Sequence, residues 1–98
     1  MKEDLLKIIN HYGVMPQLKY FQSEVFELNE AIINHEWLKS ERGMENISHI
    51  EEEFADVMVM LEQFKAYYNL NNNNIIEIMK FKIERQLERI TNELQRNS

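Results

Sequence analysis

Residues 49–64 read HIEEEFADVMVMLEQF. Ile50, Phe54, Val57, Leu61 and Phe64 recur at alternating four- and three-residue steps, the period of one helix face. That face is interrupted. At about 100° per residue, Glu53 falls between Phe64 and Met60 in the buried arc, and Asp56 falls at its margin. Ser48 with Glu51 three residues later offers a capping box, so the spacing predicts a helix starting near Ser48.

Upstream, Leu18, Phe21, Val25, Leu28 and Ile32 mark a second helix from about Pro16 to Leu38. A shorter helix over residues 2–12 precedes it, with Leu5, Leu6, Ile8, Ile9 and Tyr12 as its apolar set. Gly13 suits the left-handed position after its end. SERGMENIS, residues 40–48, is the one polar loop of any length, and NLNNNN, residues 69–74, is a second break that also supplies an N-cap. The last helix carries Ile76, Met79, Ile83, Leu87, Ile90 and Leu94. The expectation is a single all-α domain over residues 1–98: a helical bundle of one short and three long helices.

The composition bounds the rest. With two glycines and one proline in 98 residues, long helices are favoured over many short strands. A chain this short buries a modest core, so homo-oligomerisation is expected to complete it. Seventeen acidic against 11 basic residues give a net charge of −6, which argues against nucleic acid as a partner. The absence of cysteine excludes disulfides and thiolate metal sites. No apolar run approaches the ~18 residues of a membrane span. The first residues, MKEDLLKIINHYG, do not have the form of a signal peptide, so the expected compartment is the cytoplasm.

The acids form a pattern. Glu24 and Glu27 on the second helix, and Glu53 and Asp56 on the third, are two pairs at i, i+3, each on one helix side. If the two helices are antiparallel neighbours, four carboxylates converge beside the core. Such a group is costly unless a cation neutralises it, and oxygen-only ligands point to Mg²⁺ or Mn²⁺. Chance also produces i, i+3 pairs among 17 acids, and Glu51, Glu52, Glu62, Glu84, Glu88 and Glu93 read as solvated. On the last helix Lys82, Gln86 and Arg89, with Arg85 adjacent, form a row suited to phosphate oxygens or to pairing with neighbouring glutamates. A carboxylate-bridged di-iron bundle needs Glu-x-x-His pairs; the positions three before the histidines hold Ile8, Ile32 and Asn46.

These residues resemble a family. EVFE, residues 24–27, followed by EFAD, residues 53–56, is similar to the ExxE…ExxD signature of the MazG-like all-α nucleoside triphosphate pyrophosphohydrolases. SEVFELNEAI, EEEFADVMVMLEQF and KFKIERQLER resemble that family's flanking helices, over residues 14–90. The resemblance implies hydrolysis of a nucleoside triphosphate to the monophosphate and pyrophosphate, with Mg²⁺ held by Glu24, Glu27, Glu53 and Asp56. It implies Glu27 and Glu53 as catalytic carboxylates, Glu27 taking the water's proton. Lys82, Gln86 and Arg89 match phosphate- or sugar-binding positions, and assembly is expected as a homodimer or homotetramer. The acidic residue that usually precedes the first motif is Ser23 here, which implies weaker binding of metal or water. The alternative is a non-catalytic helical adaptor or nucleotide-sensing protein that binds a protein partner.

Among single residues, Trp37 suits either base stacking or the end of a bundle, and Tyr20 either a ligand contact or the helix seam. Lys39 and Arg42 read as surface charge, and His11, His35 and His49 as surface residues without ligand spacing.

Overall fold

The computed structural model describes residues 1–97, and of residues 38–46 it describes no side chain. It is all-helical, with no strand among the described residues. Three elements follow in order: α1 (Lys2–Tyr12), α2 (Val14–Tyr67) and α3 (Asn72–Arg96). The chain divides into two compact units, Met1–Tyr68 and Asn69–Ser98.

In the first unit, α1 carries Glu3 and Asp4 in its first turn and His11 in its last, the distribution a helix dipole favours. It ends at Gly13, whose N–H donates to the Ile9 carbonyl at 2.8 Å. The φ of Gly13 is 94°, which a side chain rarely tolerates, but its ψ of 153° is extended and not the left-handed helical value expected. Pro16 then sits in the first turn of α2, where its missing N–H costs nothing.

α2 counts 54 residues, and a straight helix of that length would extend about 80 Å. Yet Gln17 Nε2 donates to Gln63 Oε1 at 2.7 Å. The rings of Phe21 and Phe64 meet edge to face, 5.8 Å between centroids. The element therefore doubles back, and its limbs, residues 14–37 and 47–67, run antiparallel. The expected helix end near Leu38 and most of the expected loop over 40–48, with Lys39 and Arg42, fall among residues 38–46, whose side chains lie outside what is described. Ile47 and Ser48 are themselves helical, so Ser48 stands inside the helix and not as its cap.

The inner faces of the limbs are turned slightly from the expected ones. On the second limb Met60 is buried and Glu53 and Val57 are half-buried, while Phe54 and Leu61 remain 52% and 51% exposed. On the first limb Gln17, Glu24 and Ala31 are buried, whereas Leu18 and Ile32 are exposed. The reason is visible in the pattern: both limbs carry apolar residues on more than one side, so hydrophobicity alone does not fix which side faces inward. Among the described residues the buried set is Ile9, Ala31 and Met60 together with three polar residues, Gln17, Glu24 and Gln63.

In the second unit, Asn69 takes a positive φ of 50°, a conformation asparagine tolerates better than most residues. Asn71 caps α3, its side chain accepting from the Asn74 N–H at 3.0 Å. The stripe Ile76, Met79, Ile83, Leu87, Ile90 and Leu94 is present in register, but each of these residues is 40–67% exposed and none of α3 is buried. Among the described residues, no helix is long and apolar enough to cross a membrane.

Candidate metal centre

Antiparallel pairing of the two limbs of α2 brings their acidic turns to the same level. Carboxylate oxygens of Glu24, Glu27 and Glu53 lie within 4.8 Å of one another. Glu24 is buried, Glu53 half-buried and Glu27 exposed, so the group runs from the interior to the surface. Two oxygens, Glu24 Oε2 and Glu53 Oε2, are buried without a hydrogen-bond partner. Buried, unpartnered carboxylate oxygens are costly, and a bound cation is one of the few groups that satisfies them.

The titration of the group reflects this. Burial pushes the Glu24 carboxyl above its ordinary range; the negative charges of Glu27 and Asp56 add to the rise, and a hydrogen bond from the Tyr20 hydroxyl opposes it. Burial likewise raises Glu53, reinforced by the charge of Glu27, a hydrogen bond shared with it, and the charge of Asp56. His49 works against this rise, its Nε2 lying 3.9 Å from Glu53 Oε1. Tyr20 is raised in turn, chiefly by its hydrogen bond to Glu24 and by that residue's charge. Asp56 is exposed and is not one of the three converging residues, but its charge is felt by Glu24, Glu53 and Tyr20.

The donor set fits a hard divalent cation. The atoms available to a cation are all oxygens, with neither sulfur nor imidazole among the three, a set that suits Mg²⁺ or Mn²⁺ over zinc. Ser23 does not extend the set. Its hydroxyl donates back to the Lys19 carbonyl at 3.3 Å and is exposed.

A cavity of about 540 Å³ opens beside the carboxylates within the same unit. Glu24 and Asp56 line it, as do Tyr20 and the buried residues Gln17, Met60 and Gln63. Gln17 lies seven residues before Glu24 and Gln63 seven residues after Asp56. On antiparallel limbs both amides are thus displaced in the same direction, by two helical turns or about 10 Å. Sequence reasoning missed this amide pair. The seven-residue offsets were the available signal, and they become meaningful only once the limbs are known to be antiparallel.

The other expected residues stand elsewhere. Lys82, Gln86 and Arg89 are exposed on α3, in the second unit. Arg85 lies over the Phe81 ring, 5.9 Å from its centroid. Trp37 is 80% exposed. His35 departs from the surface reading: it is half-buried, with Nδ1 buried and unpartnered. Compared with known protein families, with curated proteins and with solved structures, the chain matches none.

Proposed function

We propose that the chain is a Mg²⁺-dependent nucleoside triphosphate pyrophosphohydrolase that converts a (d)NTP to the (d)NMP and pyrophosphate. The observation that carries this reading is the convergence of Glu24, Glu27 and Glu53, two of them with buried, unpartnered oxygens, beside a cavity large enough for a nucleotide. The two acidic pairs are those that resemble the MazG-like signature.

In this reading Glu24, Glu27 and Glu53, with Asp56 beside them, would hold the cation, Mg²⁺ or Mn²⁺. The cation supplies charge neutralisation on the phosphate oxygens and a more acidic bound water. Glu27, the exposed member of the triad, takes the proton of the water that attacks the α-phosphorus. The bond from that phosphorus to the bridging oxygen breaks, and pyrophosphate leaves. Tyr20 steadies Glu24 through its hydroxyl. For Lys82, Gln86 and Arg89 a role on phosphate oxygens rests on the resemblance alone.

The working form is a homodimer or homotetramer in the cytoplasm. Phe26, Phe54, Leu61 and the α3 stripe are exposed in the single chain, and covering them asks for an interface above about 1,600 Å² in total. A panel of canonical and modified triphosphates with Mg²⁺, read by pyrophosphate release, tests the activity. Release by wild type and its loss in Glu53→Gln support the reading. No release from any triphosphate overturns it and leaves the non-catalytic, nucleotide-sensing alternative.

A further inference from the structure

We propose that the Gln17–Gln63 amide pair reads the base of the nucleotide, forming the floor of the cavity that Glu24 and Asp56 line two helical turns away. This rests on the nucleotide reading above and adds the residues that set its base specificity.

The argument starts from hydrogen-bond capacity. Each glutamine amide offers two N–H donors and one carbonyl oxygen. Gln17 Nε2 donates to Gln63 Oε1 at 2.7 Å and points its other donor at Met60 Sδ, 4.0 Å away. Gln63 Nε2 points one donor at the same sulfur, at 3.6 Å. These contacts leave the Gln17 carbonyl oxygen and one Gln63 N–H unengaged. Exchanging oxygen and nitrogen in both amides would set both oxygens against the thioether sulfur, which has no hydrogen to give, so the hydrogen bonds favour the assignment described. Thioether sulfur is a weak acceptor, so these side chains, 7% and 2% exposed, are held by one strong hydrogen bond, the one between them. As a purely structural element it is a poor choice, because two apolar side chains of the same shape would be at least as stable.

An acceptor beside a donor is the complement of a nucleobase edge, where a ring or exocyclic N–H neighbours a carbonyl or ring nitrogen. Position agrees with chemistry. The amides stand about 10 Å along the limbs from the carboxylates, roughly the reach from a nucleotide's α-phosphate to the hydrogen-bonding edge of its base. Tyr20, four residues before Glu24 and three after Gln17, lines the cavity between the two levels, where a nucleotide so placed would carry its sugar. A pocket that hydrogen-bonds its substrate rejects analogues whose groups do not match, so this pair can discriminate strongly between bases.

The test uses the full chain and two nearly isosteric variants, Gln17→Met and Gln63→Met. The first arm titrates uridine, cytidine, adenosine and guanosine, without phosphate or metal, while following the glutamine side-chain amide resonances of wild type by NMR. One nucleoside should shift the Gln17 and Gln63 signals. No shift with any nucleoside at millimolar concentration overturns the proposal. The second arm measures kcat/KM for the corresponding triphosphates. Wild type should prefer one base at least tenfold, and each variant should narrow that spread to within about threefold with unchanged Mn²⁺ affinity. An unchanged base ranking in both variants makes the pair structural and overturns the proposal while pyrophosphohydrolysis stands. If wild type turns over no triphosphate, the catalytic reading fails, and the nucleoside titration alone decides the amide pair.

Discussion

The interior of the helical hairpin and the face of α3 invert the usual arrangement in opposite directions. Between the limbs of α2 the buried residues include Gln17, Glu24 and Gln63, where a bundle of this size would carry leucine or isoleucine. Along α3 six large apolar side chains keep a regular stripe and all are exposed. A sequence is not selected to bury carboxylates for stability, nor to show water a continuous apolar stripe. The proposed cation would answer the first departure and the proposed assembly the second, and the two ask for different experiments.

The sharpest test of the hairpin is Glu27→Gln, which should lower turnover by about 10²- to 10⁴-fold if this carboxylate takes the proton, measured as pyrophosphate release. The same interior predicts an unusual pH response. Glu24 and Glu53 are raised by folding, so their protonated forms favour the native state. The stability they contribute is full below the ordinary carboxylate value and is lost as pH rises through their elevated folded values. Thermal melts of the metal-free protein should therefore weaken upward through that window. Mg²⁺, which binds the ionised forms, should restore stability increasingly at higher pH. Glu53→Gln should flatten both trends and raise the metal-free melting temperature, a gain in stability at the expense of function.

For α3 the matching test is the pair Ile83→Asp with Leu87→Asp. If a second copy covers the stripe, sedimentation should show at least a hundredfold weaker assembly, equivalent to about 2.7 kcal/mol. An unchanged sedimentation profile would show that this stripe is not the interface. Arg89→Ala separates the polar side of α3 from its apolar side. It should lower kcat/KM by roughly ten- to a thousandfold, about 1.4–4 kcal/mol, with metal affinity unchanged. If Arg89 only pairs with a neighbouring glutamate, turnover stays intact and stability falls by less than about 1 kcal/mol. The smallest effect belongs to Asn71→Ala, which removes the cap on α3 and should cost about 1 kcal/mol, read as reduced helicity by circular dichroism.

Much of this was legible in the residues and some was not. Gly13, Pro16 and Asn71 punctuate the chain where the sequence places them, because positive φ, a missing N–H and a capping carbonyl are local properties. The spacings within Glu24–Glu27 and within Glu53–Asp56 were local too, and antiparallel limbs bring Glu24, Glu27 and Glu53 together. The rotation of the inner faces was not legible. Phe54 and Leu61 look like core residues but stay half exposed, and Met60 takes an inward position beside Glu53, which the helical wheel does place in the buried arc. A residue that packs against its own chain and one left for a partner have the same hydrophobicity, so periodicity sees only their sum. The amide pair was hidden for another reason: residues 17 and 63 meet only through the fold.

The seven-residue recurrence of Gln17, Glu24 and Ala31 on the first limb has a consequence for how the chain can change length. One residue inserted between Gln17 and Glu24 turns everything on one side of it by about 100°, carrying either the amide or the carboxylate out of the interior. Seven inserted residues nearly restore the phase but part the two groups by about 10 Å more. Point substitutions can drift along this limb, whereas insertions and deletions within it are all but forbidden.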